Sequence, residues 1–359
     1  MRLRSILEEA WLNLRGGTSR GAIFAIALAV ILATFAGAEV ITVAALENQA
    51  DRFRNAGGST LIYTAQGQIS GSACDALAAI PTVRGAGAIR QATVDETATA
   101  LPGTTVPTFD VSPTFGGFTA LGRPPAGQGA IISDELSAAL QVKAGGILHL
   151  VSGSTRVAGV YDYPQDGRAP GLGYAILIPT GVSKPFDACW VESWPQTSAI
   201  EGLLTSVVIS RTGSHTEAPP VLAQLNGSLG RSFDGSGLFN SRLTRWAAYA
   251  AAAAGFLLGL LSVRLRRLEL ASARHAGVRS TAQITQIAIE TLMWAGCSVA
   301  IALAGVILLA RATQATQPGT LVDLGGRVLE AGGASVVIGA IVGAALASER
   351  LLFRYFKDR

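Results

Sequence analysis

Only three of the 28 basic residues are lysines, Lys143, Lys184 and Lys357, and they stand in VKA, SKP and FKD. None occupies the G-x-x-x-x-G-K-[ST] frame, in which backbone N–H groups and a lysine hold phosphates, so the chain has no P-loop. Histidine and cysteine are as scarce, three of each. His149, His215 and His275 are far apart and have no Cys or His beside them, whereas a metal site needs clustered donors. Each reads as a solvent-facing or packed residue. No G-x-S-x-G elbow or comparable nucleophile set occurs. The chain is therefore expected to be non-catalytic and to bind no metal or cofactor of its own.

Charge is also in short supply. Charged residues make up 14% of the chain, against about 25% in soluble domains. Hydrophobic residues reach 49% and the mean hydropathy is +0.40. The shortage of lysine and the wealth of Ala and Gly match a GC-rich genome, which concerns codons rather than chemistry. A sequence pI near 9.2 raises nucleic acid as a partner. The basic residues flank apolar runs instead, which is the membrane pattern, and no nucleic-acid partner is expected.

A helix crossing a bilayer needs about 20 mostly apolar residues. Four segments qualify: 21–45, interrupted by Glu39; 246–263, with AAYAAAAAGFLLGLLSV at its heart; 287–310; and 329–347, rich in Gly and Ala and the least hydrophobic. Between the first two, residues 46–242 have ordinary globular composition and suffice for a domain. Arg2, Arg4, Arg15 and Arg20, then Arg264, Arg266, Arg267, Arg274 and Arg279, then Arg350, Arg354, Lys357 and Arg359 fall on one side of these spans. The loop 311–328 holds only Arg311 and Arg327. Positive charge marks the cytoplasmic side. Both termini (the tail being 348–359) and the segment 264–285 are thus expected inside, with the large domain outside. Ala36-Gly37-Ala38 resembles a signal-peptide cleavage site, but the long patterned start and three further spans favour a retained first span.

Residues 1–16 place Leu3, Ile6, Leu7, Ala10, Trp11 and Leu14 on one helical stripe, as an interfacial helix does. In the outer domain, 59–66 and 83–94 read as strands around a short helix at 70–80. Further on, 203–211 reads as a strand and 217–229 as a helix. Two βα halves separated by a β-rich insertion at 105–195 predict an α+β domain with a split, ferredoxin-like part. Ser133 is set to N-cap a helix over SDELSAAL. Cys74 and Cys189 lie in this exported domain, where disulfides persist; they read as a bridge or as two unrelated thiols. Cys297 falls inside the third span and reads as packing. Glu39 lies near the outer end of the first span. An intramembrane carboxylate is a functional candidate, here for substrate or for an interface between spans.

The segment RLRRLELASARHAGVRSTAQITQIAIETLMWAG, 264–296, joins the second and third spans. Its first part continues the second helix to about Arg274. Gly277 reads as a C-terminal stop. Ser280 and Gln283 fit an S-x-x-Q capping box for the next helix. The result is a helix–Gly–helix corner facing the cytoplasm.

This corner resembles that of FtsX- and MacB-like ABC-transporter permeases, commonly R-E-I-G-L-L-R-A-L-G-A-[STR] with a glutamate about thirteen residues after the last glycine. Glu269 takes the Glu position and Leu270 the Ile. Arg274 takes the later Arg, Gly277 the Gly, Arg279 the variable position after it, and Glu290 the trailing Glu. Leu268 stands where the first Arg is usual, with Arg267 one step earlier, and Ala271 replaces the first Gly. The stretch 109–164 is more loosely similar to that family's outer domain, and the order of parts agrees over nearly the whole chain. The resemblance implies a bacterial inner-membrane permease that pairs with a second copy or a paralogue. Two copies of a separate ATPase, carrying ATP and Mg, would press the corner, and the spans would move the outer domains. Arg267, Glu269, Leu270, Arg274, Gly277, Arg279 and Glu290 would form the ATPase-coupling set. Arg264, Arg266 and Arg267 equally suit lipid headgroups. The expected activity is export or extraction of a hydrophobic or amphipathic substrate. The alternatives are FtsX-like signalling to an extracytoplasmic partner such as a cell-wall hydrolase, and a membrane-anchored sensing module with no ATPase.

Overall fold

Thirty-five residues, Gly21–Asn55, form one helix, α1, in the computed structural model, which describes residues 20–122, 129–209 and 219–347. The interfacial-helix reading of 1–16 and the tail 348–359 lie outside the described residues. Two units form: Met1–Asn48 with Gly235–Arg359, and Gln49–Asp234.

The first unit is helical. Besides α1 it holds α5 (Gly235–Ser241), α6 (Ala247–Arg264), α7 (Arg267–His275), α8 (Ser280–Ala312) and α9 (Pro318–Leu346), the labels α2–α4 belonging to the second unit. Among the described residues four helical segments are long and apolar enough to cross a membrane: Gly21–Asn55, Leu243–Arg264, Ser280–Ala312 and Pro318–Leu346. Leu28, Leu32, Ala36 and Val40 are fully buried at a spacing of four, so one stripe of α1 faces the bundle. Ser298 on α8 donates its hydroxyl to the Ala25 carbonyl at 2.8 Å, the polar glue that a lipid-embedded interface can use. The span of lowest expected hydropathy is a well-packed one. Cβ atoms built at Gly259 of α6 and Gly339 of α9 would collide with the backbones of Val336 and Phe256. The absent side chains let these two helices approach at backbone contact, as small residues do within membranes.

The second unit contains β1 (Thr60–Ile69), α2 (Gly71–Ala76), β2 (Val83–Gln91), β3 (Glu96–Thr97), β4 (Thr105–Val106), β5 (Thr108–Val111), β6 (Ala130–Ser133), α3 (Asp134–Leu140), β7 (Ile147–Leu150), β8 (Gly153–Tyr161), β9 (Ile176–Pro179), β10 (Phe186–Ser193), α4 (Ala199–Leu204) and β11 (Val221–Gln224). Nine strands make one mixed sheet in the order β11-β1-β10-β2-β5-β9-β6-β8-β7, and β3 pairs with β4. The insertion extends the sheet through β5, which runs antiparallel to β2 and parallel to β9. Phe115, Phe118 and Trp190 stack over the sheet, with centroids 5.1–5.9 Å apart. Ser133 caps α3 by accepting the Leu136 N–H at 3.3 Å. Cys74 and Cys189 are joined, Cα atoms 5.9 Å apart, tying α2 to β10.

Several expectations need correcting. Within 203–211 the described residues, up to 209, form no strand: the end of α4 and a 3-10 turn (Thr205–Val207) occupy them, and Val208 bridges to Ile69. Within 217–229 the described residues form β11 rather than a helix, because the open edge of β1 pairs with Val221–Gln224. The expected outer loop 311–328 is mostly helix, with Pro318 opening α9, a position where proline's missing N–H costs nothing. The second span does not run on to Arg274; it ends at Arg264, and α7 starts afresh at Arg267. Cys297 is exposed on α8 rather than packed.

Gly259→Val should force α6 from α9 and cost about 1–3 kcal/mol, the usual penalty of overpacking. Gly305→Ala, where an added Cβ meets nothing within 4 Å, should be neutral or slightly stabilising. Thermal melting of both proteins in one detergent checks this; equal shifts would contradict the packing seam.

Candidate functional site

The corner is a short helix locked in place by two arginines. Gly277 has φ +93, a conformation that costs an L side chain about 1–2 kcal/mol. There the Val278 N–H reaches the Ala273 carbonyl at 3.1 Å and the Gly277 N–H reaches Arg274 at 2.9 Å. These two bonds are a Schellman stop, as the glycine predicted. The capping box is absent. Ser280 is the first residue of α8, with Arg279 as a cap that makes no side-chain bond. The Gln283 amide turns back to α7, donating to the Leu270 carbonyl at 2.9 Å and accepting Arg274 Nε at 2.7 Å.

Arg274 also donates to the carbonyls of Ala344, at 2.8 Å, and Ala347. These carbonyls end α9, where helix geometry leaves them without partners and the dipole favours a cation. Leu270 is buried with Val263, Ile287, Ala340 and Ala344. One side of α7 is thereby fastened to α6, α8 and α9.

Arg266 is the second fastening. It donates to Glu290 at 2.6 Å and, through two nitrogens, to Glu269 at 3.0 and 3.1 Å. Burial alone would pull its guanidinium down. The bonds to Glu269 and the charge and bond of Glu290 outweigh that and hold it above its ordinary value. Glu290 is buried, whereas 55% of the Glu269 side chain is exposed. A small cavity of about 20 Å³ borders the pair, lined by Arg266, Glu290, Ser262 and Thr291 and by apolar residues that include Leu270 and Trp294.

The seven residues singled out thus separate. Leu270, Arg274 and Glu290 turn inward and hold the corner. Glu269, Gly277 and Arg279 face out, with His275 and Ala276 between them, and Arg267 is half-buried. Arg266 and Gln283 are the missed members. The signal for Arg266 was its i,i+3 spacing to Glu269, which puts both on one face of a helical turn.

Glu39 is also partnered. Arg242 donates to it at 2.8 and 3.1 Å, and both side chains are nearly fully buried. Arg242 also bonds the Phe239 carbonyl and lies over the Phe239 ring. A paired, hydrogen-bonded carboxylate is the affordable form of a charge inside such a bundle. Among the described residues no group of three or more His, Cys, Asp or Glu is placed to hold a metal. His149 bonds Ser154 at 2.8 Å, and His215 lies outside the described residues.

No family model and no curated protein matches the chain. Among solved structures it is similar to the periplasmic region of MacB from Actinobacillus actinomycetemcomitans. The identity is 11% and the TM-score 0.33, over 49% of this chain and 94% of that one.

The two carboxylates on Arg266 should respond differently to removal. Glu290→Ala removes the buried carboxylate, leaves Arg266 with the half-exposed Glu269 alone, and should cost about 3 kcal/mol, the lower end for breaking a buried pair. Glu269→Ala removes a solvent-screened partner and should cost about 1 kcal/mol or less. Thermal unfolding of the full chain in detergent compares them, and a larger loss for Glu269 would contradict the assignment.

Proposed function

We propose that this chain is the membrane subunit of an ABC transporter of the FtsX/MacB-like kind, driven by a separate ATPase bound on its cytoplasmic side. It is not itself an enzyme: ATP and Mg belong to two ATPase copies, and a second permease copy completes the assembly. The observation that carries this reading is the corner. A helix fastened through Leu270, Arg266 and Arg274 to α6, α8 and α9, with its other side open, is built to pass a push to three spans at once. Packed helices transmit such displacement as hinge or shear motion.

The orientation that suits this reading places the corner and both termini in the cytoplasm and the sheet-containing unit outside, in a bacterial inner membrane. The helix α1 begins in the helical unit and ends in the soluble one, and α5 and α6 lead back. Movement of the spans is thereby carried to the outer domain. Four of its strands, in the antiparallel order β11-β1-β10-β2 with α2 after β1 and α4 after β10, fit a split β-α-β arrangement. The substrate class that suits a mostly apolar subunit with a large outer domain is a hydrophobic or amphipathic molecule, exported or extracted.

The test is co-purification from the native membrane in mild detergent, followed by ATPase assay. The wild-type chain should bring an ABC ATPase with it. Arg279→Glu reverses an outward charge without touching Arg266, Arg274 or Leu270. It should cut ATPase recovery at least about tenfold, or about 1.4 kcal/mol, at unchanged melting temperature. A wild-type chain that brings no ATPase, or a variant that binds it as well as wild type, would refute the proposal.

A further inference from the structure

The soluble unit contains an open cleft of about 560 Å³ between the loop after β8, Pro107 and Glu135 of α3, within the range of small-ligand sites. Pro107, Glu135, Tyr163, Arg168, Gly173 and Tyr174 are among its lining residues. Its charged groups are one acid, Glu135, and one base, Arg168.

Arg168 is the cation of the wall, and its donors are committed. It bonds Asp166 at 3.1 Å, the Asn55 carbonyl at 2.8 Å and the Ala120 carbonyl, and only 5% of its side chain is exposed. Its guanidinium also stands 5.5 Å from the centre of the Tyr163 ring. Burial pushes the Tyr163 hydroxyl up to about 12, so it stays a donor, and it is spent on the Ala169 carbonyl.

The acceptors are not committed. Glu135 is exposed on α3 and makes no hydrogen bond or ion pair among the described residues. The Tyr163 backbone carbonyl accepts none either. Both face one point: a methyl carbon built on Gly173 would lie 3.9 Å from Glu135 Oε2, 4.0 Å from the Tyr163 carbonyl oxygen and 4.0 Å from Tyr163 Cδ1. A carboxylate, a carbonyl and an aromatic edge around an open point favour a positively charged donor with some apolar body, since charge-assisted bonds are the strong ones. An anion would meet the Glu135 carboxylate, with only Gln165 and Tyr174 among the lining side chains left to donate to it.

The geometry points to this cleft as a binding site for an organic cation, a primary ammonium or guanidinium group seated over Gly173 between Glu135 and the Tyr163 carbonyl. The wall it touches continues through Arg168 to the Asn55 carbonyl, the last residue of α1. Binding here does not require the chain to work with an ATPase.

Titration calorimetry on the full chain in phosphatidylcholine nanodiscs tests it, with arginine amide and spermidine as the guanidinium and ammonium probes. At least one should bind saturably, and the tighter of the two identifies the preferred head. Glu135→Gln should weaken that binding about tenfold, the loss expected for a charged hydrogen bond. Gly173→Leu should abolish it by filling the floor. Glu201→Gln, an exposed acid on α4, should leave it unchanged. Melting temperatures establish that each variant is folded, and Glu135→Gln decides alone if Gly173→Leu is not. No saturable binding of either probe, binding indifferent to Glu135→Gln, or equally tight binding of sodium glutamate or calcium chloride would overturn the assignment.

Discussion

A guanidinium beside a bundle of apolar helices has five N–H donors to place and few acceptors to place them on. Arg274 puts its donors on the terminal carbonyls of α9 and on Gln283. Arg266 puts its donors on Glu290 and Glu269. Each solves two problems with one group: the cation is neutralised or hydrogen-bonded, and helix-end carbonyls or a buried carboxylate gain the partner they require. The conformation of α7, the Schellman stop at Gly277 and the inward burial of Leu270 all depend on these bonds holding the short helix down. Without them α7 would be nine mostly polar residues, too short to be a stable helix in water.

The same economy governs the far end of α1. Its last turn lies within the soluble unit, where Phe53 packs between Trp194 and Phe233 with centroids about 6 Å apart. Arg168 there satisfies the Asn55 carbonyl. The helix thus ends on an aromatic anchor and a borrowed guanidinium, rather than fraying into a linker. In the sheet, the Cys74–Cys189 bond and the Phe115–Phe118–Trp190 cluster fix α2 and the centre of the sheet.

Much of this was legible from residues alone, and the misses have physical causes. The four apolar runs stand out because the bilayer demands length and hydropathy together. The start of α9 did not, because Asp323 and Arg327 interrupt the apolar pattern while Pro318 marks the true N-terminus. The 203–211 stretch is rich in Val, Leu and Ile and reads as a strand. Edge pairing with β1 is instead taken by Val221–Gln224, whose Ala, Leu and Gln favour helix in isolation. Gln283 follows Ser280 at capping-box spacing, yet Arg274 and the Leu270 carbonyl compete for its amide and win. Which members of the expected coupling set face inward was not readable. The break at Leu265-Arg266 resets the helical phase, and Arg266 rather than Arg267 becomes the pivot.

A corner fastened by Arg266, Arg274 and Leu270 is a rigid part of the bundle. Hydrogen–deuterium exchange on the full chain in nanodiscs measures that most directly. Amides of Arg267–His275 should be protected to the same degree as the adjoining ends of α8 and α9, and Arg274→Ala should release all three together. Fast, unprotected exchange of Arg267–His275 in the wild-type chain, with α8 and α9 still protected, would contradict it.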